Sequence, residues 1–201
     1  MGARRIIAIV GSYRPGGVTD QLVETTLSAA RACGAVTETV WLTDLAMRHC
    51  GNCRACMQVP GDHRGRCVID DDVAAVLARI DQADGVVLAS PVNIGNVTAI
   101  TRMFMERCAG AAYWPWGRPA PRLRRTRPTR PVVLISASAA PAWMARLFMG
   151  AAGALRQWAA MLDLRPLGFV WQGRVDRESM PIDQSVRTRA LELGRQLAGS
   201  T

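Results

Sequence analysis

The stretch Ile6-Ile7-Ala8-Ile9-Val10-Gly11-Ser12-Tyr13-Arg14-Pro15-Gly16-Gly17-Val18-Thr19 decides how the chain is read. Its first five residues are apolar, mostly β-branched and unbroken by polar ones. That pattern belongs to a central parallel strand buried on both faces. A helical pattern begins near Thr19, with Leu22, Val23, Thr26, Leu27 and Ala30 on one side. Strand, glycine-bearing polar loop and helix together aim free backbone N–H groups at an anion. Ser12 and Thr19 can add hydroxyl donors, and Arg14 a charged fork. The expectation is a phosphate cradle of Ser12, Arg14, Gly17 and Thr19. The plainer alternative is a strand-to-helix turn whose glycines serve only the bend.

The glycine spacing does not fit the dinucleotide fingerprint, which needs three glycines at fixed offsets. A Walker loop is excluded too, because it needs a lysine and every basic residue counted as Lys or Arg here is an arginine. A mononucleotide phosphate such as that of FMN remains.

The rest of the chain repeats the strand-then-helix alternation. Val36 to Leu42 reads as a second strand, Gly85 to Ala89 as a third, Val132 to Ser136 as a fourth and Leu167 to Trp171 as a fifth. Helical patterns follow Asp70-Asp71-Asp72, run from about Thr98 to Cys108, and close the chain through Val186, Ala190, Leu193 and Leu197. A further helix is expected to put Met144, Leu147, Phe148, Ala151, Leu155, Trp158 and Leu162 on one stripe, as core or subunit interface. The three aspartates suit a helix start, where acids accept orphan N–H groups, better than a metal site. Such alternation implies an α/β fold with a parallel sheet covered on both faces and ligands at the carboxyl ends of its strands. Three of those ends carry small polar loops: Ser12 to Thr19, Ser90 to Asn96 and Ser136 to Ala140. Their convergence would make a cofactor site.

Residues 1–201 read as one domain with two irregular insertions, at 47–68 and 113–130. The net charge of +9 invites a nucleic-acid reading. Six of the arginines fall between Arg118 and Arg130 without interleaved aromatics, so nucleic acid is not the expected partner. No apolar stretch reaches transmembrane length and no secretory signal is apparent, so a cytoplasmic protein is expected. Its six cysteines then read as ligands, redox groups or buried thiols rather than disulfides.

Gly11-Ser12-x-Arg14 with Thr19 resembles the phosphate loop of the NAD(P)H-dependent FMN reductases of the flavodoxin-like superfamily. Ala83-Asp84-Gly85-Val86-Val87, followed by Ser90-Pro91-Val92 and Thr98-Ala99, is similar to that family's second flavin loop. Cys50-x-x-Cys53-x-x-Cys56, then Cys67-Val68-Ile69-Asp70-Asp71-Asp72, resembles the iron–sulfur flavoprotein branch. The resemblance covers about Ile6 to Cys108; beyond that only element order matches. It implies a flavodoxin-like three-layer sandwich with a five-stranded parallel sheet. It also implies FMN held at its phosphate by Ser12, Arg14 and Thr19. Pro91, Val92, Asn93, Ile94 and Gly95 would line the isoalloxazine, with Ser136 and Ser138 as third-loop candidates. Asn93 departs from the aromatic that relatives often carry there.

The activity so implied is FMN-dependent NAD(P)H oxidoreduction. Electrons would pass from nicotinamide through flavin to a small acceptor, a quinone, flavin or similar, in a homodimer or homotetramer. No residue is assigned as a catalytic acid or base. The alternative is an iron–sulfur flavoprotein transferring electrons to a protein partner. Cys50, Cys53, Cys56 and Cys67 would then wrap a [4Fe-4S] cluster. Zinc with His49 or His63, or plain thiols beside the flavin, are the other readings of that loop. Cys33 and Cys108 are expected to be packing residues. Trp114 and Trp116 either cover a neighbouring flavin or anchor their own loop.

Overall fold

A computed structural model describes residues 2–126 and 128–199. Of the excursion expected at 113–130, Arg127 lies outside the described residues. Five strands form one parallel sheet: β1 (Arg5–Val10), β2 (Val36–Trp41), β3 (Gly85–Ala89), β8 (Arg130–Ala137) and β9 (Leu164–Gln172). Two short antiparallel pairs lie outside it, β4 (Val92–Asn93) with β5 (Asn96–Val97) and β6 (Ala112–Tyr113) with β7 (Arg122–Leu123). The helices are α1 (Val18–Ala32), α2 (Val73–Gln82), α3 (Ala99–Arg107), α4 (Ala142–Phe148), α5 (Ala151–Met161) and α6 (Gln184–Leu197).

The strand order is β2-β1-β3-β8-β9. The first connection runs one way from β1 and the next returns to its other side, so the strand order reverses between β1 and β3. Ligands of open α/β sheets bind at such a point, of which flavodoxin is the standard example. The unalternating apolar runs have their reason in the layers. Ile7 and Ile9 face α2, α3 and α5, while Ile6, Ala8 and Val10 face α1 and α6. Both faces of β1 and β3 are therefore dry, and every residue from Ile6 to Val10 and from Gly85 to Ala89 is buried. β9 is an edge strand. It tolerates Pro166, which lacks a ladder donor, by a register shift: Val132 pairs with Pro166 but Val133 with Gly168.

Two expectations are corrected by the helices. The stripe from Met144 to Leu162 is not one helix; it breaks between Phe148 and Ala151. Gly150 N–H donates to Gly95 O at 2.8 Å, and a Cβ on Gly150 would sit 2.5 Å from Asn96 Nδ2. The chain thus bends to meet the β4–β5 hairpin. The break leaves Leu147 71% and Phe148 73% exposed, beside Trp143, instead of in the core. Cys33, at the C-cap of α1, is exposed rather than packed.

Candidate functional site

The loops after β1, β3, β8 and β9 enclose a cleft of about 290 Å³ at the carboxyl edge of the sheet. From the first loop it is lined by Ser12, Tyr13, Arg14, Gly17, Val18 and Thr19. Pro91, Val92, Asn93 and Thr98 come from the second, and Ala137, Ser138 and Ala139 from the third. Val175, Arg177 and Glu178 come from the segment after β9. That last contribution had no sequence signal, since the segment carries no motif.

The first loop is shaped by its own side chains. Arg14 N–H donates to Ser12 Oγ at 3.2 Å, and Gly16 N–H donates to Asp20 Oδ2 at 2.7 Å. Gly16 takes φ +73°, a left-handed conformation that glycine adopts without steric penalty. Helix α1 then starts with no side-chain cap: Gly17 holds the N-cap position and the first helical bond is Gln21 N–H to Gly17 O. The amides of Val18, Thr19 and Asp20 precede that bond and have no intrahelical acceptor. Thr19 is 3% exposed, and no described residue hydrogen-bonds its hydroxyl. Uncapped amides, an unpartnered threonine hydroxyl on the cleft wall and an arginine at one helix N-terminus make a donor set that fits a phosphate.

Gly11 has a different task. A Cβ there would fall 1.8 Å from Thr101 Oγ1, so the residue is glycine because backbone packs directly on α3. Thr98, the N-cap of α3, donates to Gly11 O at 2.6 Å and accepts from Thr101 N–H. Thr98 N–H and Thr101 Oγ1 both donate to Ser90 Oγ, each at 3.1 Å. A buried hydroxyl network thus locks the first and second loops together.

The remaining residues expected at the flavin divide. Pro91, Val92 and Asn93 line the cleft. Ile94 and Gly95 form the β4–β5 turn instead, at φ +47° and +73°, and Ile94 is 97% exposed. Two consecutive positive φ values are those of a type I′ hairpin turn, an unfavourable conformation for a β-branched residue. Ser136 is buried and donates to Ser90 O at 2.8 Å, off the cleft wall. Ser138 lines the cleft, but its hydroxyl donates to Ala140 O and accepts from Trp171 Nε1.

The cysteine loop makes a second constellation. Cys50, Cys53, Cys56 and Cys67 surround one small cavity of about 30 Å³, and all four are free thiols. Burial pushes the Cys56 thiol up, and Cys67, Cys50 and Cys53 add to it in that order. Asn52 N–H donates to Cys50 Sγ at 3.4 Å and Ile69 N–H to Cys67 Sγ at 3.5 Å. Asn52 and Arg54 take left-handed φ of 50° and 58°, which folds the CxxCxxC run around the cavity. Arg54 stacks on Trp114 at 3.4 Å and lies 4.5 Å from the Trp116 ring, so these tryptophans anchor the loop of their own chain. His63 lines a different cavity, with Asp62 and Arg64. Among the described residues, no three His, Cys, Asp or Glu groups converge as a single metal ion would require. What the four cysteines share is the lining of that one cavity.

Two of the three aspartates, Asp71 and Asp72, hold the start of this loop. Asp72, at the N-cap of α2, makes no side-chain cap and accepts from Ala46 N–H at 2.7 Å. Asp71 accepts from Val73 N–H, but also from Arg48 N–H at 3.0 Å and from Arg107.

Residues 4–173 match the NADPH-dependent FMN reductase family. Iron–sulfur flavoproteins of Methanocaldococcus jannaschii and Methanosarcina thermophila are 39% and 31% identical over 103 residues, 51% of this chain and 51% of each relative. The chain thus aligns over about half the length of these curated relatives. Among solved structures, the NAD(P)H:quinone oxidoreductase from Methanothermobacter marburgensis superposes with a TM-score of 0.65 at 15% identity, over 98% of this chain and 96% of that one. An FMN-dependent NADH-azoreductase from Bacillus anthracis, solved with FMN, gives 0.64 at 11% identity, over 98% of both chains. At such identities the structures speak for the flavodoxin-like fold, and the match over residues 4–173 establishes the rest: the chain belongs to the NADPH-dependent FMN reductase family.

Proposed function

We propose that the protein is an FMN-dependent NAD(P)H oxidoreductase with a small acceptor, a quinone, flavin or similar. The observation that carries this is the uncapped N-terminus of α1, where Arg14, Gly17, Val18 and Thr19 line the cleft and neither the Val18 and Thr19 amides nor the Thr19 hydroxyl meets a protein acceptor among the described residues. Ser12, Arg14, Gly17 and Thr19 would hold the FMN phosphate, and Pro91, Val92 and Asn93 would lie along the ring. When bound, FMN supplies the redox chemistry, accepting hydride from nicotinamide and returning electrons to the acceptor. The chain's part is to hold the phosphate, orient the ring and cover one face of it. No side chain in the cleft is needed as an acid or base.

Reconstitution with FMN tests this reading. The protein should bind one FMN per chain, and NADPH or NADH should bleach its visible bands. Ping-pong kinetics are expected; a sequential pattern with both substrates bound would count against a shared flavin site. A protein that cannot be loaded with FMN overturns the reading.

The N–H···S contacts at Cys50 and Cys67 favour a second feature, a [4Fe-4S] cluster held by Cys50, Cys53, Cys56 and Cys67. With it, the protein would pass electrons to or from a protein partner as well. A brown shoulder over the flavin bands, with about four irons per chain, is expected after anaerobic purification. The exposed Trp143, Leu147 and Phe148 suit a homodimer or homotetramer interface. No described helix is long and apolar enough to cross a membrane.

A further inference from the structure

The four-cysteine site is closed by an ion pair that flavin binding does not use. Arg107 is the last residue of α3, and its side chain is 1% exposed. Nη1 donates to Arg48 O at 2.7 Å and to Asp71 Oδ2. Nη2 donates to Asp71 Oδ1 at 3.0 Å and to Cys67 Sγ at 3.6 Å. One guanidinium therefore grips both ends of the cysteine loop: Arg48, two residues before Cys50, and Cys67 itself. An ion pair that only pinned α3 to Asp71 would need neither the Arg48 carbonyl nor the sulfur.

We propose that Arg107 is a positioning residue for Cys67. It fixes that sulfur relative to Cys50, Cys53 and Cys56, and its N–H draws charge from the sulfur. The proposal rests on the reading of these cysteines as cluster ligands. Asp71 cancels the net charge of the guanidinium, so what reaches Cys67 is a directed N–H dipole rather than a free cation. Hydrogen bonds to cluster sulfurs stabilise the reduced, more negative state and so raise the potential. A lysine at 107 keeps the charge against Asp71 but lacks the second arm of the fork.

The test compares wild type with Arg107→Lys, both purified anaerobically with flavin and iron in place. Iron and acid-labile sulfide per chain are measured, and the cluster midpoint potential is read by EPR-monitored titration. The variant should retain its flavin and iron, show a lower midpoint potential, and lose iron to a chelator several-fold faster. An unchanged potential in a variant with normal flavin content overturns the role of Arg107 and leaves the cluster standing. A wild type that holds no iron after anaerobic reconstitution with iron, sulfide and reductant overturns the cluster, and this proposal with it. If Arg107→Lys does not fold, wild type labelled with 15N-arginine decides. A nitrogen hyperfine coupling to the reduced cluster is expected, and its absence overturns the proposal.

Discussion

Thr98 Oγ1 donates a 2.6 Å hydrogen bond to the carbonyl of Gly11, across 87 residues of sequence. The bond joins the start of the loop after β1 to the N-cap of α3. Thr98→Val keeps the shape but removes the donor to Gly11 and the acceptor for Thr101 N–H. A buried carbonyl left unpaired and a lost cap together should cost about 2 kcal/mol of stability. Urea denaturation should show this as a lower midpoint at unchanged slope. FMN affinity should fall as well, although Thr98 is not assigned to the phosphate.

The proposed phosphate contacts should behave differently. Arg14 is exposed and carries no structural hydrogen bond from its guanidinium among the described residues. Arg14→Ala should leave the urea midpoint unchanged while weakening FMN binding by about 10- to 100-fold, the worth of one charged hydrogen bond. Thr19→Val, which loses a neutral donor, should weaken it by roughly 10-fold or less. Fluorescence titration of the apoprotein with FMN measures both. Equal losses from the two substitutions would mean that charge at residue 14 does not face the phosphate.

How much of this was written in the sequence depends on what each residue touches. β1 and β3 were legible because strands buried on both faces leave nothing polar to confuse the pattern. The uncapped start of α1 was legible because its local order, strand then loop then helix, already fixes where amides point. Ser136 and Ser138 were read by type as donors, yet Ser90 O, Ala140 O and Trp171 Nε1 engage their hydroxyls, and all three are remote or backbone partners. The break before Ala151 was hidden for the same reason. Gly150 sits acceptably in a helical pattern, and only the Gly95 carbonyl and the Asn96 side chain force the bend. Arg107 looked like an ordinary basic residue at a helix end; its work depends on a loop closing over it.

The Arg107–Asp71 pair gives the protein an acid limb. Burial pushes the Asp71 carboxyl up, but the Arg107 fork and the Arg48 and Val73 amides outweigh it and hold the group below the usual carboxylate value. A depressed native value contributes stability that is complete above the ordinary carboxylate pKa of about 3.9 and is lost as pH falls through the native one. Stability should therefore be flat in this term near neutrality and fall below about pH 4. Arg107→Met, which leaves Asp71 buried and unpaired, should cost about 3–5 kcal/mol at pH 7. Asp71→Asn should flatten the acid limb in a series of urea melts between pH 3 and 7.

Cys108 should be chemically silent. Burial, partly offset by Arg64 and Trp158, pushes its thiol up to about 12, and its Sγ is bonded to Phe104 O. Almost no thiolate exists at pH 8, and no reagent reaches it. In apoprotein free of metal, a disulfide reagent should titrate one fewer thiol in buffer than in guanidinium. Cys108→Ala should abolish that difference. A Cys108 that reacts as fast as Cys33 would show that the core beneath α3 opens readily.

Gly65 offers a way to separate the two sites. Its N–H donates to Gly110 O at 2.9 Å, and a Cβ on it would lie 1.7 Å from the Cys56 carbonyl oxygen. Nothing flexible is involved, because the obstacle is backbone, so Gly65→Ala must push the Cys56 segment away. The flavin cleft shares no residue with that contact, and its hydroxyl network runs through Ser90, Thr98 and Thr101 at the far end of α3, about 13 Å along a nine-residue helix. Gly65→Ala should therefore bind FMN with wild-type affinity and be reduced normally by NAD(P)H, while the iron held at the proposed cluster falls several-fold per chain. Loss of flavin together with iron would mean that the cysteine loop and the cleft fold as one unit, and that α3 transmits the disturbance between them.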